Sequence, residues 1–146
     1  MDTRQAGIDL QDTLVELTDL ALQAKQAHWN VAGPLFLPLH EQLDTLTAEL
    51  RTGSDDVAER AVAVGFAPDG RSSTVAKESP LAEMPAGRVD DRTVVGLVVQ
   101  ALDVLIDRLR TRVERLDAVD LVSQDLLIEI LRGLEKHRWM FSAQLA

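Results

Sequence analysis

Apolar residues in this chain recur at steps of three and four, and that period commits it to helices packed on one another. Leu10, Leu14, Leu17, Ala21, Ala24 and His28 form one stripe, with Asp9 as the expected N-cap just before it. Gly33 and Pro34 break the chain after Asn30. A second helix follows to about Val64, carrying Pro38 in its first turn and Gly53 in its interior. Val94, Val98, Leu102, Leu105, Leu109, Val113 and Leu116 make a third stripe, capped by Asp90 or Asp91. The tetrapeptide DAVD at 117–120 is a turn, and Leu127, Ile130, Leu131, Leu134 and Met140 mark a fourth helix running to the C-terminus. Residues 65–90 hold three prolines and three glycines, too long a connection for a hairpin loop. It permits a crossover between antiparallel helix pairs, and TVAKESPLAEM inside it predicts a short extra helix. The expected fold is all-α, a four-helix bundle in a single domain over residues 1–146.

Composition narrows the setting. Aromatic residues are 3% of the chain and tyrosine is absent, so the core is aliphatic. With no cysteine there are no disulfides and no thiolate metal sites. The N-terminus MDTRQAGIDL is polar and lacks the features of a signal peptide. No apolar run reaches the ~20 residues that span a bilayer. These features give a cytoplasmic expectation. The formal charge of −9 attracts cations and repels nucleic acid.

The chemistry concentrates between Lys25 and Arg60. His40 and Asp44 are four residues apart, as are Asp55 and Glu59, so each pair shares a helix face. Asp44 and Asp55 are eleven residues apart, near three whole turns, which puts both pairs on nearly one face. Along one helix that separation is about 16 Å, too far to share a metal. Two copies packed antiparallel about a two-fold axis remove the obstacle, because facing residues then have position numbers with a constant sum. His40 with Glu59 and Asp44 with Asp55 both sum to 99. An axis near Glu49 and Leu50 therefore sets His40 against the partner's Glu59, and Asp44 against the partner's Asp55. Imidazole with carboxylates and no thiolate suits iron or another borderline divalent ion. His28 joins from the preceding helix, on the core side of its stripe. The competing reading is a buried, hydrogen-bonded histidine beside a solvated acidic face, and Glu41 and Asp56 are assigned to that face.

The run KQAHWNVAGPLFLPLHEQLD followed by DDVAER resembles the Dps-type mini-ferritins, and the resemblance extends over essentially the whole chain, including RGLEKHRW. It implies a ferritin-like bundle assembled as a hollow dodecamer that oxidises Fe(II), preferably with hydrogen peroxide, and stores Fe(III) mineral. It implies sites between subunits, with two histidines and an acid from one chain and two acids from its partner. On this sequence they are His28, His40 and Asp44, with Asp55 and Glu59 of the partner subunit. Iron is the expected metal, and zinc or other divalent ions can stand in for it. The Glu-x-x-His pair of ordinary di-iron bundles is missing, since Lys25, Leu37 and Leu134 stand three before His28, His40 and His137. His137 is expected to be structural or superficial.

By the same resemblance Trp29 lies near the iron site, as an electron donor or simply as packing. Asp120 and Asp125 are candidate pore acids at the start of the fourth helix, although Val122 stands where an acid is frequent and Asp120 doubles as a helix cap. Family members that condense DNA usually carry a basic tail. Here only Arg4 precedes Asp9, and no basic residue follows Trp139, so strong DNA binding by these termini is not expected. Two other classes compete with the ferroxidase. One is a nucleoid-associated protein that coats DNA with little iron chemistry, and the other is a non-catalytic helical interaction module.

Overall fold

The structure is a computed structural model and describes residues 3–146. Four long helices form the bundle: α1 (Arg4–Asn30), α2 (Phe36–Ala63), α4 (Asp91–Leu116) and α5 (Leu121–Ala143). The short α3 (Ser72–Glu78) sits in the long connection between α2 and α4. Every residue of the first stripe is buried, and Leu39, Leu43, Leu46 and Leu50 of α2 meet it. Leu102, Leu105 and Leu109 of α4 and Leu127 and Leu131 of α5 complete one aliphatic core. Each fully buried leucine contributes roughly 1.5–3 kcal/mol over its exposed state.

The first helix begins earlier than the leucine stripe indicates. Asp9 is not a cap: it lies buried inside α1, where it accepts hydrogen bonds from Gln5 at 3.1 Å and Arg115 at 2.5 Å. The N-cap position is Thr3. Ala6 and Gly7 are buried, and a Cβ on Gly7 would come within 2.5 Å of the Phe66 ring. Small residues thus extend the buried face by more than a turn beyond the leucines. Next along α1, Glu16 is buried, takes a bidentate hydrogen-bonded pair from Arg112, and receives Arg108 at 3.1 Å. These ion pairs fasten α1 to α4.

At the other candidate cap the first acid wins, since Asp90 accepts from the Thr93 amide at 3.1 Å. The extra helix is shorter than the eleven residues expected of it: it starts at Ser72 and stops at Glu78, before Pro80. Gln11 clasps the start of this connection with two hydrogen bonds to the Asp69 backbone, at 2.9 and 2.8 Å. The far end is tied by a two-residue parallel ladder, β1 (Val31–Ala32) with β2 (Val89–Asp90). Sequence periodicity missed that ladder, because two residues have no period to read. Among the described residues no helix is long and apolar enough to cross a membrane.

Candidate metal centre

The ladder lies beside the loop that sets the two histidines against each other. Gly33 holds φ +124°, and a Cβ there would lie 2.6 Å from the Asp91 carboxylate. That carboxylate accepts from the Leu35 amide at 2.7 Å and the Arg92 amide at 2.8 Å. The turn between α1 and α2 is therefore pinned to the start of α4, and glycine is the residue that fits.

Across this turn His28, at the end of α1, meets His40, in the second turn of α2. Their rings stack with centroids 3.7 Å apart and planes 12° from parallel. His28 Nδ1 lies 2.6 Å from the His40 carbonyl oxygen, and His40 Nδ1 lies 2.7 Å from the His28 carbonyl oxygen. A carbonyl only accepts, so each Nδ1 carries the hydrogen and donates it. Each Nε2 is left with a lone pair, the usual preparation of a metal-ligating histidine. Phe36 covers the outer face of His40, its ring centroid 5.0 Å away.

Asp44 projects one turn beyond His40 and is paired with Lys25, three residues before His28 on α1. The hydrogen bond from Lys25 holds the Asp44 carboxyl below its ordinary value, helped by the charge of Lys25. In sequence Lys25 registers only as the residue three before His28 where a glutamate is missing, and nothing in its spacing points to the pair with Asp44, 19 residues away. Asp55 and Glu59 are exposed on the outward side of α2, as are Glu41 and Asp56. Among the described residues no three His, Asp or Glu side chains of one chain converge as metal ligands. The single chain thus brings His28 and His40 together, with Asp44 one turn along α2 and paired to Lys25, and Asp55 and Glu59 farther along the same helix.

Elsewhere the candidates divide. Trp29 is 65% exposed beside His28. His137 is buried, and its Nε2 lies 2.7 Å from a carboxylate oxygen of Glu49, so its role is structural, bracing α5 on α2. Asp120 caps α5 by accepting from the Val122 amide at 3.2 Å, and it also receives Ser123 at 2.5 Å and Arg60 at 2.8 Å. Burial alone would raise its pKa, but the hydrogen bonds from Ser123 and Arg60 outweigh that and hold it below the ordinary value. Asp125 is exposed, as are Leu121 and Val122 before it.

A family model described as a ferritin-like domain matches residues 9–146. DNA protection during starvation protein 2 of Deinococcus radiodurans is 39% identical over 97% of this chain, which spans 59% of that relative's length. The crystal structure of Dps92 from Deinococcus radiodurans has TM-score 0.95 and 39% identity, covering 97% of this chain and 86% of that one. Dps from Microbacterium arborescens, solved in a high-iron form, has TM-score 0.92 and 38% identity, covering 97% of this chain and 92% of that one. The chain belongs to the DNA-protection-during-starvation (Dps) family of ferritin-like proteins.

Proposed function

We propose that this chain is a ferroxidase and iron store: one Dps-type domain over residues 1–146 that assembles as a homododecamer, oxidises Fe(II) and retains Fe(III) as mineral. The observation that carries the reading is the reciprocal histidine lock, which leaves each Nε2 available to a metal, with Asp44 one turn farther along α2. Carbonyl partners at Nδ1 fix both tautomers and leave each Nε2 available to a metal, as they do for ligating histidines. Support also comes from the relative solved in a high-iron form.

In this reading His28, His40 and Asp44 of one chain bind ferrous iron with Asp55 and Glu59 of the partner subunit. Lys25 neutralises Asp44 until the substrate displaces it. Hydrogen peroxide, the preferred oxidant, takes one electron from each of two ferrous ions and two protons from solvent, and leaves as two waters. Taking both electrons in one site avoids hydroxyl radical, and the absence of cysteine leaves no thiol to oxidise. Trp29, next to His28 in sequence and exposed, is the residue assigned to intercept a stray oxidant. Asp125 is the acid open to incoming cations at the start of α5, whereas Asp120 is engaged by Arg60 and the cap. The proposed setting is the cytoplasm. A net charge of −9 weighs against a principal role in coating DNA.

The deciding experiment follows the absorbance of ferric product when peroxide is added anaerobically to protein loaded with Fe(II). Wild type is expected to oxidise iron quickly and an Asp55→Ala/Glu59→Ala variant to lose that phase. Equal traces would reduce these acids to a solvated surface and end the ferroxidase reading.

A further inference from the structure

The outward face of α2 runs from Leu37 to Val62, through the four ligand positions of that helix and through Ala48 and Arg51. Successive members are three or four residues apart, so all fall within about 100° of arc. None is buried by the rest of the chain: His40 is half-buried and the others are exposed. At the two ends stand the two large aliphatic side chains of this face, Leu37 at 57% exposure and Val62 at 63%. Single exposed aliphatics are ordinary and by themselves mean nothing.

Their register is what carries the argument. Leu37 lies three residues outside His40, and Val62 three residues outside Glu59. The two-fold that sets His40 against the partner's Glu59 therefore also sets Leu37 against the partner's Val62, since both pairs sum to 99. Ala48 and Arg51 obey the same sum at the centre. In that register a small residue would leave room for a guanidinium, with Asp55 of its own chain and the partner's Asp44 one turn away. Apolar meets apolar, imidazole meets acid, and the arginine meets the least bulky side chain of the face. The occupant that satisfies all of these at once is a second copy of this chain.

We propose that Leu37 and the partner's Val62 pack together as the apolar closure of each inter-subunit site, one turn outside His40 and the partner's Glu59. The inference rests on the self-pairing of α2 in the reading above and adds residues that bind no metal. Covering the outer end of the site displaces water, and a carboxylate attracts a divalent cation more strongly in that drier surrounding.

The chain has no cysteine, so introduced thiols can be read without background. A Leu37→Cys/Val62→Cys variant, oxidised mildly, is expected to run mostly as a covalent dimer on a non-reducing gel. Either single variant is expected to stay uncrosslinked, because two copies of position 37 lie about 37 Å apart in this register. Crosslinking by Leu37→Cys alone, or none by the double variant, overturns the pairing. The closure itself is read by calorimetric titration with Zn(II). Leu37→Ser and Val62→Ser are each expected to weaken binding about tenfold, with Leu37→Met close to wild type. Unchanged affinity in both serine variants overturns it. A crosslink in a protein whose iron oxidation ignores Asp55 and Glu59 keeps the seam and removes the ferroxidase, and the reverse pattern keeps the chemistry and removes the closure.

Discussion

Two imidazoles that each donate to the other's backbone carbonyl cannot rotate independently, so the preparation for a ligand is stored in the main chain as much as in the side chains. Removing either ring deletes a proposed ligand and the stacking partner of the other. His28→Ala is expected to lower Zn(II) affinity by at least about tenfold, measured by calorimetry. Lys25→Met works the other way, because it removes the cation that competes for Asp44, and tighter Zn(II) binding is its expected outcome. Asp12 offers a test unconnected with metal. Its side chain is exposed, but partial desolvation raises its pKa more than nearby Arg112 lowers it, so solvent keeps the effect small. A raised carboxyl favours the fold below its unfolded value and loses that contribution as pH climbs through the folded one. Asp12→Asn should therefore raise the thermal midpoint slightly at pH 7 and leave it unchanged near pH 3.

At the level of elements, the sequence disclosed what repeats and hid what does not. Apolar stripes marked three of the bundle helices and chain breakers the second, while Asp90 proved the cap of the Asp90 or Asp91 choice and Asp120 took the cap role offered beside the pore. The start of α1 was missed because its first turns bury Ala6 and Gly7, which carry too little apolar bulk to register as a stripe. The ladder of Val31 and Ala32 with Val89 and Asp90 was invisible for want of length. The histidines and acids were legible as spacing, but the carbonyl bonds that orient the rings depend on a loop pinned by Asp91, 51 residues beyond His40 in sequence. That loop makes Gly33→Ala costly, by about 1–3 kcal/mol in denaturant unfolding, since the new Cβ meets Asp91 in a left-handed backbone. The caps contribute to the acid limb of stability, beside Asp69 and Asp44. Asp90 and Asp120 both titrate below the ordinary 3.8 in the folded chain, Asp90 chiefly through its hydrogen bonds with Thr93. Depressed carboxyls contribute above their unfolded value and lose that contribution as pH falls through the folded one. The thermal midpoint should hold from neutrality to about pH 4 and fall below it, with a shallower fall in Asp120→Asn.

The molecule as a whole is two helical hairpins, α1–α2 and α4–α5, with the proposed iron site wholly on the first. The second is bound to it by the shared core, by the α1–α4 ion pairs and by Asp91. Breaking the buried pair with Glu16→Gln should cost about 3–5 kcal/mol, because Arg112 is then left charged and unmatched. In solution the proposed assembly should be many times the 16.0 kDa of one chain by light scattering. The same particle should fail to retard duplex DNA even at low salt, as its charge requires. The bond from the Leu35 amide to Asp91 spans the hairpins at the site's edge. That N–H can swap its proton for deuterium only when the bond opens, so one loop amide keeps time for the parting of the two halves. If zinc stiffens the loop that carries both histidines, its arrival will be recorded there as a slower exchange, at an atom that never touches the metal.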